Sequence, residues 1–463
     1  MAEDSLKAEA SIAVPENPYA SPQTLVAAAP APAIPPPVSD WSPLRNPVFR
    51  ALWIASAVSY VGYEIRNYAA PLLMGDFREH NTALSKGMIL YTFTASTLPI
   101  PLLVLFAGAL ADRVDRRKLL IVTHLWMMLA AGLLGILTMC QLMTPWLMLG
   151  FLFAIGAGYA MMNPALLAVL PELVEPRELK SAMALNSVNM NIARVLGPAI
   201  GGVVIVGLAK YGQPYYIGKG IAFLATSLSL VGVVYVLAKW KHTKPKVVAH
   251  KESMLGAVWT GVRYTFESPR LMAIMTRIFL FMVFAGILPT ACAGICKDHV
   301  ELGGEKGASI MMAFFGVGAI IGVYWMQALQ RKFGVEQIVL ICTILYGAAM
   351  LGVARTTSVS MGCAAMFVAG FNWVIVPTNF NIATQLAVPA WIKGRAMGMY
   401  VLVLWGSMSM GSAIFGQLTS LIGGPGAQRT SLFTAGIGVI VGSVAIIWLR
   451  LVPKADVEVA AAK

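Results

Sequence analysis

From Trp41 onward the chain alternates between long apolar runs and short polar stretches. Twelve such runs fall at 48–74, 86–111, 119–141, 145–168, 181–209, 215–238, 270–296, 306–330, 336–355, 359–386, 394–421 and 429–451. Crossing a bilayer takes about 20 apolar residues in helical form, and each run meets that length. The pattern predicts an all-α membrane protein with twelve transmembrane helices. The longest internal polar segment, 239–269, opens with Lys239-Trp-Lys241-His-Thr-Lys244-Pro-Lys246 and holds an amphipathic stretch near 254–268. It divides the chain into two six-helix bundles, 41–238 and 270–452. Residues 1–40 are rich in Ala and Pro, including Pro30, Pro32, Pro35, Pro36 and Pro37, and lack the apolar core of a secretory signal. They read as a disordered cytoplasmic tail of polyproline character, and 453–463 read as a second cytoplasmic tail.

Composition strengthens this picture. Of 463 residues, 58% are hydrophobic and 12% charged, whereas soluble domains carry roughly 25% charged residues. A formal charge of +13 suggests a nucleic-acid partner in a soluble protein, but here the cations sit in short loops between spans. With both termini inside, the cytoplasmic segments hold 23 of the 34 Lys and Arg residues. The external segments hold eight: Arg78, Lys86, Lys210, Lys219, Lys297, Lys306, Arg355 and Arg429. This bias orients the protein in an inner membrane with both ends cytoplasmic and argues against nucleic-acid binding. Cys140, Cys292, Cys296, Cys342 and Cys363 all fall in apolar runs with no zinc-site spacing. There is no Gly-x-x-x-x-Gly-Lys-Ser/Thr phosphate loop, and no nucleophile–base or metal-site pattern. No enzyme activity and no cofactor is implied.

The most informative stretch is Gly108-Ala-Leu-Ala-Asp112-Arg113-Val-Asp115-Arg116-Arg117-Lys118, with six charges in seven residues between two apolar runs. Charge is expensive in hydrocarbon, so this must be a tight aqueous turn between helices 2 and 3. The pattern Gly-x-x-x-Asp-Arg-x-x-Arg-Arg resembles the signature loop of the major facilitator superfamily of transporters, with Asp115 where that family usually has Gly. An internal repeat agrees with the pseudo-symmetric halves of that fold. Pro164 matches Pro377, Pro176 matches Pro389 and Lys180 matches Lys393, each 213 residues apart. Each half then enters a small-residue-rich helix, with Gly197-Pro198-Ala-Ile-Gly201-Gly202 in the first and Gly406, Gly411 and Gly416 in the second. Such symmetry places a substrate site at the interface of the halves near the midplane.

The Gly197, Pro198, Gly201, Gly202 segment resembles the helix 5 signature of exporters and antiporters in the superfamily. Glycines let helices approach closely, and Pro198 favours a kink. The stretches Leu44-Arg45-Asn46-Pro-Val-Phe49-Arg50 and Met162-Asn163-Pro164 to Leu185-Asn186-Ser are similar to the branch that holds enterobactin-type siderophore exporters and transmembrane secretion effectors. Many drug–proton antiporters of the superfamily carry an Arg four residues before a helix 4 Gly; here Leu152 stands at that spacing before Gly156.

Ionisable groups inside a span are candidate functional groups. Glu64 and Arg66 lie in helix 1, two residues apart and so on different faces. Arg194 in helix 5 is a candidate partner for Glu64. Glu64 then has two readings, carrier of the coupling proton or member of a structural ion pair. Arg66 and Arg194 could instead attract an anionic substrate, with Asn67, Asn163 and Asn189 adding hydrogen bonds. In the second half Asn372, Trp373 and Asn379 on helix 10 are further cavity candidates, and polar helix-to-helix contacts explain such residues equally well. Arg277, near the cytoplasmic end of helix 7, reads as a snorkelling cation. The resemblance implies that Gly108, Asp112, Arg113, Arg116 and Arg117 act as a gating loop, with Asp112 latched to the start of helix 11 near Gly394. The expected function is a proton-coupled exporter of a small amphiphilic molecule, a siderophore or drug-like compound, working by alternating access. Its partners are that molecule, protons and the lipid bilayer, and the expected state is a monomer. The alternatives are an importer or lysophospholipid transporter on the same fold and, more remotely, a non-transporting membrane sensor.

Overall fold

The computed structural model describes residues 41–80, 86–210, 214–240, 254–388, 393–424 and 426–448. Among the described residues there is no strand. The α-helices among the described residues are α1 (Pro47–His80), α2 (Met88–Thr97), α3 (Pro99–Arg113), α4 (Arg116–Met139), α5 (Pro145–Leu173), α6 (Leu179–Lys210), α7 (Tyr215–Ser229) and α8 (Val231–Lys239), then α9 (Met254–Glu267), α10 (Pro269–Ala285), α11 (Leu288–Asp298), α12 (Gly304–Lys332), α13 (Val335–Arg355), α14 (Val359–Leu386), α15 (Lys393–Ile422) and α16 (Ala427–Trp448). Each expected span coincides with one helix or with two helices in line. Three arrive as pairs: α2 with α3, α7 with α8, and α10 with α11. The first break precedes Pro99, and Pro289 stands just after the break at Gly286–Ile287. Proline lacks the N–H that an unbroken helix needs there. The expected amphipathic stretch is α9. The tails at 1–40 and 453–463, and linker residues 241–253, lie outside the described residues.

Local sequence sets the helix starts. Thr144 and Pro145 open α5, Ser268 and Pro269 open α10, and Ser358 opens α14; each hydroxyl accepts a backbone N–H of the first turn. Asp115, at the position where the resemblance led us to expect Gly, caps α4 by accepting from the N–H groups of Arg117 and Lys118. Among the described residues, nine stretches are long and apolar enough to cross a membrane. The first helix, which carries Arg50, Glu64, Arg66, Asp76 and Arg78, is not one of them.

Packing repeats between the halves. In the first half α1 packs on α6, α4 on α5 and α7, and α3 on α5. In the second, α10 packs on α15, α13 on α14 and α16, and α12 on α14. The halves meet where α6 lies on α12 and α15 lies on α2 and α3. Glycine makes the equivalent approaches possible. A Cβ at Gly197 of α6 would stand 2.3 Å from the Cβ of Glu64 on α1, and one at Gly411 of α15 would stand 1.8 Å from the carbonyl oxygen of Val283 on α10. Either distance is shorter than any real contact, so only a residue without a side chain fits. Pro198 lies within α6, which runs on without interruption from Leu179 to Lys210.

Candidate functional site

The first helix presents its two mid-span charges to different neighbours. Glu64 sits against α6 at Gly197, where the charges of Arg194 and Arg66 act on it and Asn67 stands within hydrogen-bonding reach. Among the described residues no ion pair within 4 Å joins Glu64 to Arg194, whose Nη1 donates to Asn191 Oδ1 at 3.1 Å. Arg66 turns the other way. Its guanidinium lies over the ring of Tyr63, 4.6 Å from the centroid, and its Nη2 donates to Asn67 Oδ1 at 2.9 Å. Arg66 is only 1% exposed, yet its Nε and Nη1 have no hydrogen-bond partner in the protein. A desolvated cation with open donors is costly, and an anion placed there would relieve that cost.

Aromatic rings extend this site across the interface. Tyr63 stacks on Tyr159 of α5 with centroids 5.2 Å apart, and Tyr159 meets Trp405 of α15 edge-on at 6.4 Å. The tier therefore runs from the first half to the second, beside Arg66. Asn163 is one turn beyond Tyr159 on the same face of α5 and is half-buried. The structure thus gathers Glu64, Arg66, Asn67 and Arg194 around α1 and α6, with a ring ladder that the sequence reading did not single out. A tyrosine three residues before Arg66 was the available signal, because residues three apart share a helix face.

The other polar candidates make their contacts apart from the Arg66 tier. Asn189 donates to the carbonyl of Trp53 at 2.9 Å, and the Trp53 indole donates to the carbonyl of Leu185 at 3.0 Å, locking α6 to α1. Asn379 donates to the Ile375 carbonyl and accepts from Gln330 of α12 at 2.9 Å. Trp373 lies between Phe315 and Tyr346, at 6.1 and 5.9 Å. Asn372 donates to the Val368 carbonyl, and its buried Oδ1 has no partner. Trp373 and Asn379 belong to the contacts of α14 with α12 and α13, and none of these contacts reaches Arg66. On α6, Gly201 packs on Tyr68 of α1 and Gly202 on Ser309 of α12.

A second charged site lies at the end of the bundle where α1 and α11 terminate. Asp76, buried at 4% exposure, pairs with Lys297 of α11 and, at 2.6 Å, with Lys219 of α7. Lys219, 1% exposed, also pairs with Glu305 in the first turn of α12. Arg78 pairs with Asp298, and Tyr68 donates to the Glu305 carbonyl. The pairs of Asp76 with Lys297, Lys219 with Glu305 and Arg78 with Asp298 each join one half to the other. Counting charges by loop assigned Arg78, Lys219 and Lys297 to external water; the structure withdraws the two lysines into an ion cluster. The signal available was that Asp76 and Glu79 follow the same run as Arg78, and Asp298 the same run as Lys297.

At the opposite end the basic loop fastens the first half to itself. Arg116 pairs with Glu172 of α5 at 2.7 Å. Arg117 donates from Nε to the Leu237 carbonyl at 2.6 Å and from Nη2 to that of Ala238, the C-terminus of α8, where a cation is favoured. The side chains of Asp112 and Arg113, and the surroundings of Gly108 and Gly394, lie outside what the structure describes. Among the described residues no group of three or more His, Cys, Asp or Glu could hold a metal ion.

Comparison with known proteins agrees with this architecture. Residues 38–463 match the transmembrane secretion effector family. The staphyloferrin A transporter of Staphylococcus aureus is 24% identical over 330 residues, 70% of this chain and 79% of that protein. The enterobactin exporter EntS of Shigella boydii is 24% identical over 407 residues, 86% of this chain and 90% of that protein. Among solved structures, a variant of the nucleoside transporter NupG superposes with a TM-score of 0.70 at 10% identity, covering 86% of this chain and 99% of that one. A bacterial homologue of the human lysosomal transporter Spinster, inward-facing and unoccupied, gives 0.63 at 14% identity, covering 88% and 97%. At such identity the structures speak for the fold alone. The chain is a multi-pass membrane transporter of the major facilitator type, not an enzyme, and belongs to the transmembrane secretion effector family.

Proposed function

We propose that the protein is a secondary active transporter that exports a small anionic amphiphile of the siderophore type, by alternating access and in exchange for protons. The observation that carries this reading is Arg66, a buried guanidinium with two open nitrogens at the foot of an aromatic ladder that bridges the halves. Catecholate and carboxylate ligands offer the anion and the flat or apolar body that such a site accommodates. The names of the relatives point the same way. Glu64, beside the same site and under the charges of Arg194 and Arg66, is the proposed proton carrier.

With both termini in the cytoplasm, the Asp76 cluster lies on the outer side and closes it. In this reading the conformation faces inward, and outward opening separates Asp76 from Lys297, Lys219 from Glu305 and Arg78 from Asp298. The gating role implied for Asp112 is retained as a proposal for the outward-facing state. The test is secretion. A host lacking its own exporter, supplied with this protein, should release a catecholate or carboxylate siderophore into the medium. Retention of both classes inside the cell, with the protein present in the membrane, would refute the substrate class.

A further inference from the structure

A cavity of about 210 Å³ lies within the second half, among α10, α13, α14 and α16. It shares no residue with the Arg66 tier. Most of its wall is apolar: Leu280, Phe281, Val339, Leu340, Phe380 and Val439. Its rim is charged and stands at the end of the bundle where α10 and α13 begin and α14 and α16 finish. There Arg277 reaches Glu336 in the first turn of α13, at 3.3 Å. That pair is weak for two reasons. Glu336 is 63% exposed, so water screens it. The Arg277 Nε is buried and has no hydrogen-bond partner. Arg331 and Lys332, both exposed, end α12 just before α13 begins. The charged groups lining the cavity itself are Arg277 and Glu336, with Arg331 and Lys332 close by in the chain at the end of α12.

The cavity is open at its rim, and its wall also carries Gln337, Thr343 and Ser443, so its apolar part favours the tail of an amphiphile whose polar end stays at the rim. Its occupant needs an apolar tail to fill the interior and an anionic head to meet the open Arg277 donor. A helix end in a bilayer is the level of the lipid headgroups. We propose that the cavity holds an acyl chain of an anionic phospholipid, with the headgroup phosphate on Arg277. The site would act as a lipid anchor of the second half, separate from the transport path. Arg277 then does more than snorkel.

Two substitutions test this in the full-length protein. Arg277→Gln removes the cation. Gly442→Leu fills the cavity, because Gly442 lines it and a Cβ there would meet no atom within 4 Å. Phosphatidylglycerol in mixed micelles should raise the unfolding midpoint of the parent and remain bound in native mass spectra, while phosphatidylcholine and inorganic phosphate should not. Arg277→Gln should weaken phosphatidylglycerol binding by at least about tenfold, the value of one charge-assisted hydrogen bond. Gly442→Leu should abolish the lipid effect while folding at least as well as the parent. Equal stabilisation by phosphatidylcholine, the same effect from inorganic phosphate alone, or an undiminished phosphatidylglycerol effect in either variant would overturn the assignment.

Discussion

Replacing Asp76 by Asn should open the end of the transporter that the ion cluster closes. Asp76 is a carboxylate shared by a lysine from each half. Without its charge, Lys297 keeps a hydrogen bond to the Leu72 carbonyl at 3.3 Å and Glu79 at 3.6 Å, and Glu79 is 50% exposed, so it compensates poorly. Lys219 keeps Glu305. Breaking a buried pair by removing one partner costs about 3–5 kcal/mol; with Glu79 nearby the lower figure applies. The penalty falls on the closed state, because Lys297 reaches water once the halves part. About 3 kcal/mol shifts a two-state equilibrium by roughly a hundredfold. Ser309 reports the change. It lies one turn beyond Glu305 on α12, is 9% exposed, and its hydroxyl donates to the Pro198 carbonyl across the interface at 2.8 Å. In a Cys140→Ser background, Ser309→Cys should react slowly with a membrane-impermeant maleimide, and adding Asp76→Asn should accelerate it strongly. Arg263→Ala, which breaks an exposed pair with Glu267 on α9, should leave the rate unchanged. Equal rates with and without Asp76→Asn would show that the cluster does not hold the gate.

Other substitutions probe the remaining parts. Gly197→Ala should lower the thermal midpoint by the equivalent of about 1–3 kcal/mol of overpacking, since its Cβ would strike Glu64, whereas Gly207→Ala, with no neighbour within 4 Å, should be neutral or mildly stabilising. Gly411→Ala should repeat the Gly197 result in the second half, and an unchanged midpoint in either would count against the close helix approaches. Arg66→Met should abolish substrate-dependent transport yet leave the midpoint equal or higher, because it removes a buried cation with open donors; a large loss of stability would instead make Arg66 a structural residue. Asp115→Ala should cost about 1 kcal/mol through loss of the α4 cap, read as a lower midpoint with transport retained.

The fold was legible because its main determinant is linear. Apolar runs of bilayer length, separated by charged turns, carry the span pattern without any knowledge of tertiary contacts, and the 213-residue repeat of Pro164 with Pro377 reflects the pairing that the helices adopt. The breaks before Pro99 and at Gly286–Ile287 were less evident, since an apolar run reads the same whether its helix is straight or divided. The site was legible in its charges and not in its geometry. Glu64, Arg66 and Arg194 stand out because charge is rare in a span, and α1 and α6 do bring Glu64 toward Arg194. The Tyr63, Tyr159 and Trp405 ladder was invisible because rings in membrane helices are common and only packing shows which of them meet. Asn189 and Asn379 stood out by the same polarity argument, yet their hydrogen bonds are spent on neighbouring helices. The Asp76 cluster escaped because the positive-inside count treats loop-end cations as solvated, whereas here neighbouring acids draw two of them inside.

The most direct test of the account is substrate-driven proton movement in proteoliposomes, measured for the parent protein and for Glu64→Gln. The account predicts that a catecholate or carboxylate siderophore evokes proton flux in the parent, that hydrophobic cations and lysolipids do not, and that Glu64→Gln binds substrate without moving protons. Substrate transport with no proton flux in the parent, or full flux in Glu64→Gln, would contradict it.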